Sequence, residues 1–373
     1  MKRKTIIQIA VIVLVLVAIA AGIKLFMDKR QFSAYKVIRT IETQSVRNET
    51  RYLPFGNYFL RYGNDGISYL NGESFVWNQA IDFRNPLIAI QGNYVAVGEQ
   101  KSNTIYLFDT TGLVKEIETS YPMTDLEVSA QGVVAALLDD GTSNYIEVTD
   151  KEGSQLVMGK TVFEGTGYPL DISISADGTK LAVSYLYLNA GTVQGKVAFY
   201  NFSGKGGNAQ DSLVGGFNQY TDTIVPKVDF LDNNLAVAFG DNMFSIYKIS
   251  SSPELVFETE IFKEEIKSVF FGSRYIGIVF LSSDKEMPYE MKIYDTSGKE
   301  ILTKGFNFNY DEIAFSGGKI LMNNSTSCEI YNLSGTKEFA FTFEDEVVCM
   351  VGTGKSNGYI VVNPDSLTEI RLK

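Results

Sequence analysis

The sequence predicts an all-β fold, a β-propeller of about eight four-stranded blades with seven as the alternative count, preceded by one N-terminal transmembrane helix. Three observations carry this expectation. An apolar run stands close to the N-terminus, a strand-and-turn unit recurs from about residue 49 onward, and no amphipathic helix of ordinary length interrupts the recurrence.

Met1, Lys2, Arg3 and Lys4 form a short basic segment, and the run that follows is apolar from Ile6 to Ile23 apart from Gln8, continuing past Lys24 to Met27. Roughly 20 apolar residues span a bilayer, so 5–27 reads as a transmembrane helix. The basic residues ahead of it place 1–4 in the cytoplasm and the remainder on the other side of the membrane. Ala18, Ala20 and Ala21 offer the small residues of a cleaved signal peptide as the rival reading, but a signal core usually stops at about 15 apolar residues and this run continues. Both readings put the body outside the cytoplasm.

Residues 28–48 are polar with apolar positions at Val37, Ile38 and Ile41, and read as a stalk. From 49 to 373 the sequence reads as an extracytoplasmic propeller. Its clearest unit is an apolar pair two residues apart, then Asp or Asn two further on, then Gly after three more. Ile105, Leu107, Asp109 and Gly112 make one copy, and Ile146, Val148, Asp150 and Gly153 the next. Val197, Phe199, Asn201 and Gly204 follow, then Met291, Ile293, Asp295 and Gly298, then Cys328, Ile330, Asn332 and Gly335, with a degenerate copy at Phe244, Ile246 and Lys248. Period-two spacing turns the apolar pair to one face of a strand, and a side chain that bonds its own backbone ahead of a Gly closes a tight hairpin.

A second pair of strands lies between successive copies, as in Leu87 to Gln91 with Tyr94 to Gly98, giving about four strands in ~40–50 residues, the size of one blade. Blades then start near 49, 85, 123, 168, 221, 263, 310 and 347. The last is short by one strand, which a segment at about Lys36 to Gln44 can supply and so remove an exposed sheet edge.

Composition excludes several functions. The chain has no histidine, which removes the usual general base, the Ser-His-Asp and Cys-His nucleophiles and the commonest nitrogen ligand of metals. A net charge of −11 with Lys and Arg scattered singly argues against a nucleic-acid partner. Cys328 and Cys349 match no metal spacing and read as small buried residues, forming one bridge at most. No cofactor, metal or catalytic residue is assigned from the sequence, and the ligand-binding residues stay unassigned.

Asp171-Ile-Ser-Ile-Ser-Ala-Asp-Gly-Thr-Lys-Leu-Ala-Val-Ser184 resembles the strand-turn-strand signature of WD40-like and TolB-like propellers, and the D-x-x-G hairpins resemble those of PQQ-like repeats. The layout as a whole resembles an uncharacterised family of single-span, membrane-anchored bacterial propeller proteins. That resemblance implies location and fold, with no activity to transfer. A quinoprotein needs a tryptophan-rich cofactor platform, and the chain has only Trp77.

Asp139-Asp140-Gly141 and Asp232-Asn233-Asn234 lack the calcium-loop pattern and read as turns. Phe343-Glu344-Asp345-Glu346 and Lys263-Glu264-Glu265 read as solvated links between blades, with a paired-carboxylate centre as the alternative. Tyr187 to Gly195 and Gly204 to Gln210 read as the longest loops, where binding concentrates on a rigid scaffold. Glycosylation sequons stand at Asn48, Asn201, Asn323, Asn324 and Asn332. The expected function is a non-catalytic interaction or scaffold module, membrane-tethered, for a protein or cell-envelope ligand. The alternative is a hydrolase or lyase acting on polysaccharide or peptide through carboxylates on the propeller face.

Overall fold

Strand pairing among the described residues of the computed structural model gives eight sheets, seven of four strands and one of five, the blades of a β-propeller. The structure describes residues 12–16, 22, 29–42, 50–56, 58–71, 74–162, 165–189, 191–203, 207–208, 212–355 and 357–373. Among these, no helix is long and apolar enough to cross a membrane. The expected cytoplasmic segment 1–4 and most of the expected span at 5–27 lie outside the described residues, as does Asn48.

Each blade is built on a four-stranded antiparallel meander whose fourth strand is an edge, except in the blade of 123–161, where 207–208 add a short parallel strand beside it. Seven blades run consecutively: 51–79, 86–118, 123–161, 168–217, 227–258, 266–306 and 312–342. The eighth takes three strands from 349–372 and its edge strand, Tyr35–Glu42, from the other end of the chain, with Tyr35 opposite Leu372 and Glu42 opposite Ser366. The count is eight rather than seven.

The blades fall into two compact units, one of residues 46–307 and one of 1–45 with 308–373. In the larger unit the core lies between neighbouring blades. Leu137, Ile146 and Val148 pack with Ile172, Ile174 and Val183, while Ala182, Val197 and Phe199 pack with Val228, Ala236 and Tyr247. In the smaller unit Phe32, Leu321, Ile330 and Phe339 pack with Met350, Tyr359, Val361 and Ile370.

The hairpins expected from the sequence join third strands to edge strands. Asp150 Oδ1 accepts the backbone N–H of Glu152 and of Ser154 at 3.0 and 2.7 Å, and Gly153 turns the chain at φ +86. Asp109, Asp295 and Asn332 cap their hairpins in the same way. A local side chain that satisfies the turn's donors fixes where each hairpin reverses.

A feature absent from the sequence reading recurs on the outer strand of the four-stranded meander in all eight blades, each of which carries one extra residue against its partner at the same position. The bulged residues are Val76, Val114, Leu156, Val214, Val256, Ile301, Glu338 and Ile38. A bulge at an edge bends the strand and increases its twist.

Two expected loops are not plain loops. Tyr187 to Gly195 is a hairpin that lengthens its blade, with Tyr187 opposite Gln194 and Leu188 opposite Val193 around Gly191 at φ +86. Alternating Tyr, Leu, Val and Thr favour strand over coil there. Of Gly204 to Gln210, only 207–208 are described, and they run parallel to Val157 and Met158 at the edge of the preceding blade.

Candidate functional site

Polar residues stand at alternate positions on the first strands of three consecutive blades in the larger unit. Asp125 and Glu127 come from Met123–Val128, Asp171 and Ser173 from Tyr168–Ile174, and Lys227 and Asp229 from Lys227–Phe230. The intervening residues fill the inter-blade core, so period two leaves these side chains together. Lys227 Nζ lies 3.3 Å from Asp171, 3.9 Å from Asp229 and 4.0 Å from Glu127.

These carboxylates also hold blade to blade. Asp171 Oδ2 accepts the N–H of Val228 at 2.7 Å, Ser173 Oγ accepts that of Phe230 at 3.0 Å, and Ser173 donates to Asp229 at 3.4 Å. Asp125 accepts a backbone hydrogen bond from Ile172. First strands of neighbouring blades belong to different sheets, and side-chain acceptors satisfy backbone donors between them.

One lysine cannot balance four carboxylates. Burial, opposed by Lys227, pushes Asp171 up to about 7 and Asp229 up to about 6. Burial raises Asp125 and Glu127 as well. The carboxylates lift Lys227 to about 12 against its own burial. The cluster therefore holds protons near neutrality.

The second constellation belongs to the smaller unit. A groove of about 340 Å³ opens beside the edge strand Tyr35–Glu42. Phe339, Phe341 and Phe343 follow one another at period two, so the strand carries a line of rings out of the core: Phe339 is buried, and Phe341 and Phe343 are half-buried. Tyr35 meets Phe341 at 4.9 Å between ring centres and 77°, and Phe343 meets Phe341 at 5.2 Å and 61°.

Facing these rings, Thr40, Thr368, Ser366 and Asn363 offer hydroxyl and amide groups. Glu344 and Asp345 line the groove and are exposed. The segment that carries them is pinned: Phe343 N–H donates to Thr326 O at 2.8 Å, Val347 N–H to Ser325 O at 2.8 Å, and Asn363 Nδ2 to Glu346 O at 2.7 Å. Burial raises the Tyr35 phenol, and the charges of Glu344 and Asp345 raise it further.

Other residues singled out by the sequence are distributed across the fold. Asp139 accepts from Gly141 N–H, and Asp140 from Thr142, Ser143 and Tyr145, so both cap one turn. Asp232 caps Asn234 and Leu235, while Asn233 reaches across to the N–H of Asp177. Lys263, Glu264 and Glu265 are exposed on an inter-blade link. Cys328 and Cys349 are buried and unbridged, and burial pushes both thiols up to about 12. Trp77 stacks on Phe108 at 4.8 Å and donates its indole N–H to Asp109 O, a structural position. Among the sequons, Asn323 and Asn332 are buried.

Sequence reasoning missed the Asp125–Asp229 cluster and the aromatic part of the groove. The available signal for the first was acid, serine or lysine at alternate positions of first strands. For the second it was the run Phe339, Phe341, Phe343 ahead of two acids.

A family model described as a family of unknown function, DUF5711, matches residues 28–372. The chain belongs to that family. No curated protein sequence matches it. Among solved structures, BamB from Moraxella catarrhalis is similar with a TM-score of 0.56 at 12% identity, covering 91% of this chain and 100% of that one. A eukaryotic initiation factor is similar with a TM-score of 0.52 at 14% identity, covering 85% of this chain and 91% of the other. These likenesses show the propeller fold that DUF5711 adopts here.

Proposed function

We propose that the chain is a membrane-tethered, extracytoplasmic interaction module that holds a protein or cell-envelope ligand against its propeller. The groove beside Tyr35–Glu42 carries this reading: it joins half-exposed rings, hydrogen-bonding side chains and a pinned loop in one concave surface. The tether rests on the basic residues 1–4 and the apolar run through 5–27. Ile12, Val13, Leu14, Val15 and Leu16 are all exposed, and five consecutive bare apolar residues call for a cover that lipid supplies. Only seven residues lie between Met27 and Tyr35, which holds the groove's edge strand within about 27 Å of the span along the chain.

The shifted carboxylates on the first strands are the observation that favours carboxylate catalysis as a second reading. They are already engaged, however: Asp171 by Val228 N–H and Lys227, Asp229 by Ser173 and Lys227. Their arrangement serves inter-blade bonding better than attack on a substrate.

The test places a photo-crosslinking residue at Val37, in the groove, or at Leu255, on another edge strand, in the full-length chain within native membranes. A discrete crosslinked species from Val37 and none from Leu255 is the expected result. Absence of any species at Val37 would overturn the binding reading, and release of the chain by alkaline extraction would overturn the tether.

A further inference from the structure

The three groove aromatics are inclined to one another rather than laid in a plane. Tyr35 and Phe341 stand at 77°, Phe341 and Phe343 at 61°, and Tyr35 and Phe343 at 39° with centres 6.0 Å apart. A flat platform suits the face of a sugar ring, whereas rings packed edge to face break up such a platform and leave single π-faces that a compact cation can cover. Among the described residues, no Lys or Arg lies over these three rings, although cations cover Phe32, Tyr145, Tyr185, Tyr289, Phe280 and Tyr331 elsewhere.

The charges beside the rings have the matching sign. Glu344 and Asp345 line the groove and, among the described residues, make no ion pair, while Glu369 already holds Arg39 and Lys355, each at 3.2 Å. Their loop is fixed at both ends and at Glu346, so the backbone that carries the two carboxylates is set before any ligand arrives. The chain's net charge of −11 adds a long-range attraction for a basic partner. Thr40, Thr368, Ser366 and Asn363 supply the donors and acceptors that a peptide backbone requires, and Tyr35–Glu42 is an edge strand, suited to an extended segment beside it.

We infer that the groove binds an extended peptide segment of a partner protein, with a Lys or Arg side chain held among Tyr35, Phe341 and Phe343 and paired with Glu344 and Asp345. This rests on the binding reading above and names its ligand class.

The experiment uses the full-length chain in lipid nanodiscs, with the Val37 photo-crosslinker as a reporter of occupancy. Three fluorescent probes are titrated: a Ser-Gly hexapeptide carrying two lysines, the same peptide with both lysines acetylated, and a neutral chitin hexasaccharide. The lysine peptide is expected to crosslink and to bind at least tenfold more tightly than its acetylated form. Glu344→Gln with Asp345→Asn, both exposed positions, should erase that difference while leaving the circular dichroism spectrum unchanged. Equal binding of the acetylated peptide, or capture of the hexasaccharide alone, would overturn the basic-peptide assignment and leave the groove as a binding site. No crosslink to any probe, together with no species from native membranes, would overturn both.

Discussion

Replacement of Asp229 by Asn tests the view that the first strands carry more negative charge than one lysine can balance. Burial lifts the Asp229 carboxyl from its ordinary 3.8 to about 6. A carboxyl with a raised folded pKa binds its proton more tightly in the native state. Its favourable contribution is therefore complete below about 3.8 and is lost as pH rises through about 6. Two units correspond to about 3 kcal/mol of native-state cost above pH 7, and water reaching a side chain that is 24% exposed lowers this to about 1–2 kcal/mol. Asparagine keeps the shape and can still accept from Ser173, so D229N should be more stable than the parent by about 1 kcal/mol at pH 8 and equal to it at pH 4.

The assay is guanidinium unfolding followed through Trp77, the only tryptophan, which lies in the same unit as the cluster. Comparing the two proteins at each pH cancels the groups that do not sense Asp229, including Asp177 and Asp295, whose carboxyls are lowered and act in the opposite sense. A D229N protein that is less stable than the parent at pH 8, or whose advantage does not grow between pH 4 and 7, would refute the charge-imbalance argument.

Two further outcomes follow from the geometry. Gly298 turns its hairpin at φ +85, and an added Cβ would meet Cγ of Phe257 at 2.0 Å. Gly298→Ala should therefore lower stability by about 2–4 kcal/mol in the same unfolding assay, and a loss under about 0.5 kcal/mol would show that the ring is not fixed there. Cys328 and Cys349, with thiols pushed up to about 12, should resist a thiol reagent at pH 8 in the native protein and react fully in denaturant; rapid native labelling would refute their burial.

What the sequence disclosed and what it withheld divide along the range of the interaction. The hairpins at Asp109, Asp150, Asp295 and Asn332 were legible because capping residue, Gly and strand pair lie within a few positions, so blade boundaries could be counted. The edge-strand bulges were not, since an extra residue such as Val76 or Ile301 exists only relative to the register of a partner strand. Asp171 and Lys227 stand 56 residues apart and meet only because first strands of successive blades adjoin. Tyr187 to Gly195 misled because its glycines suggested a loop, whereas Gly191 stands at a tight turn and the flanking residues pair.

The bulges bear on how a fold with an outer strand on every blade avoids unwanted pairing. A straight edge with adjacent apolar residues, such as Leu113-Val114 or Leu255-Val256, would template a further strand from any chain. One extra residue at the same position on all eight edges breaks the regular spacing of free N–H and C=O groups, so that only a short length of each edge can accept a partner. The chain makes such short additions itself. Gly207 and Asn208 lie parallel to Val157 and Met158, next to the bulge at Leu156. Phe32 donates its N–H to Glu338 O, at a bulge whose side chain pairs with Lys319. Among the described residues both additions involve one or two residues, the extent a bulged edge allows. A peptide held beside Tyr35–Glu42, bulged at Ile38, should likewise draw most of its affinity from side chains in the groove, and truncating its basic residue to alanine should cost more than methylating its backbone amides.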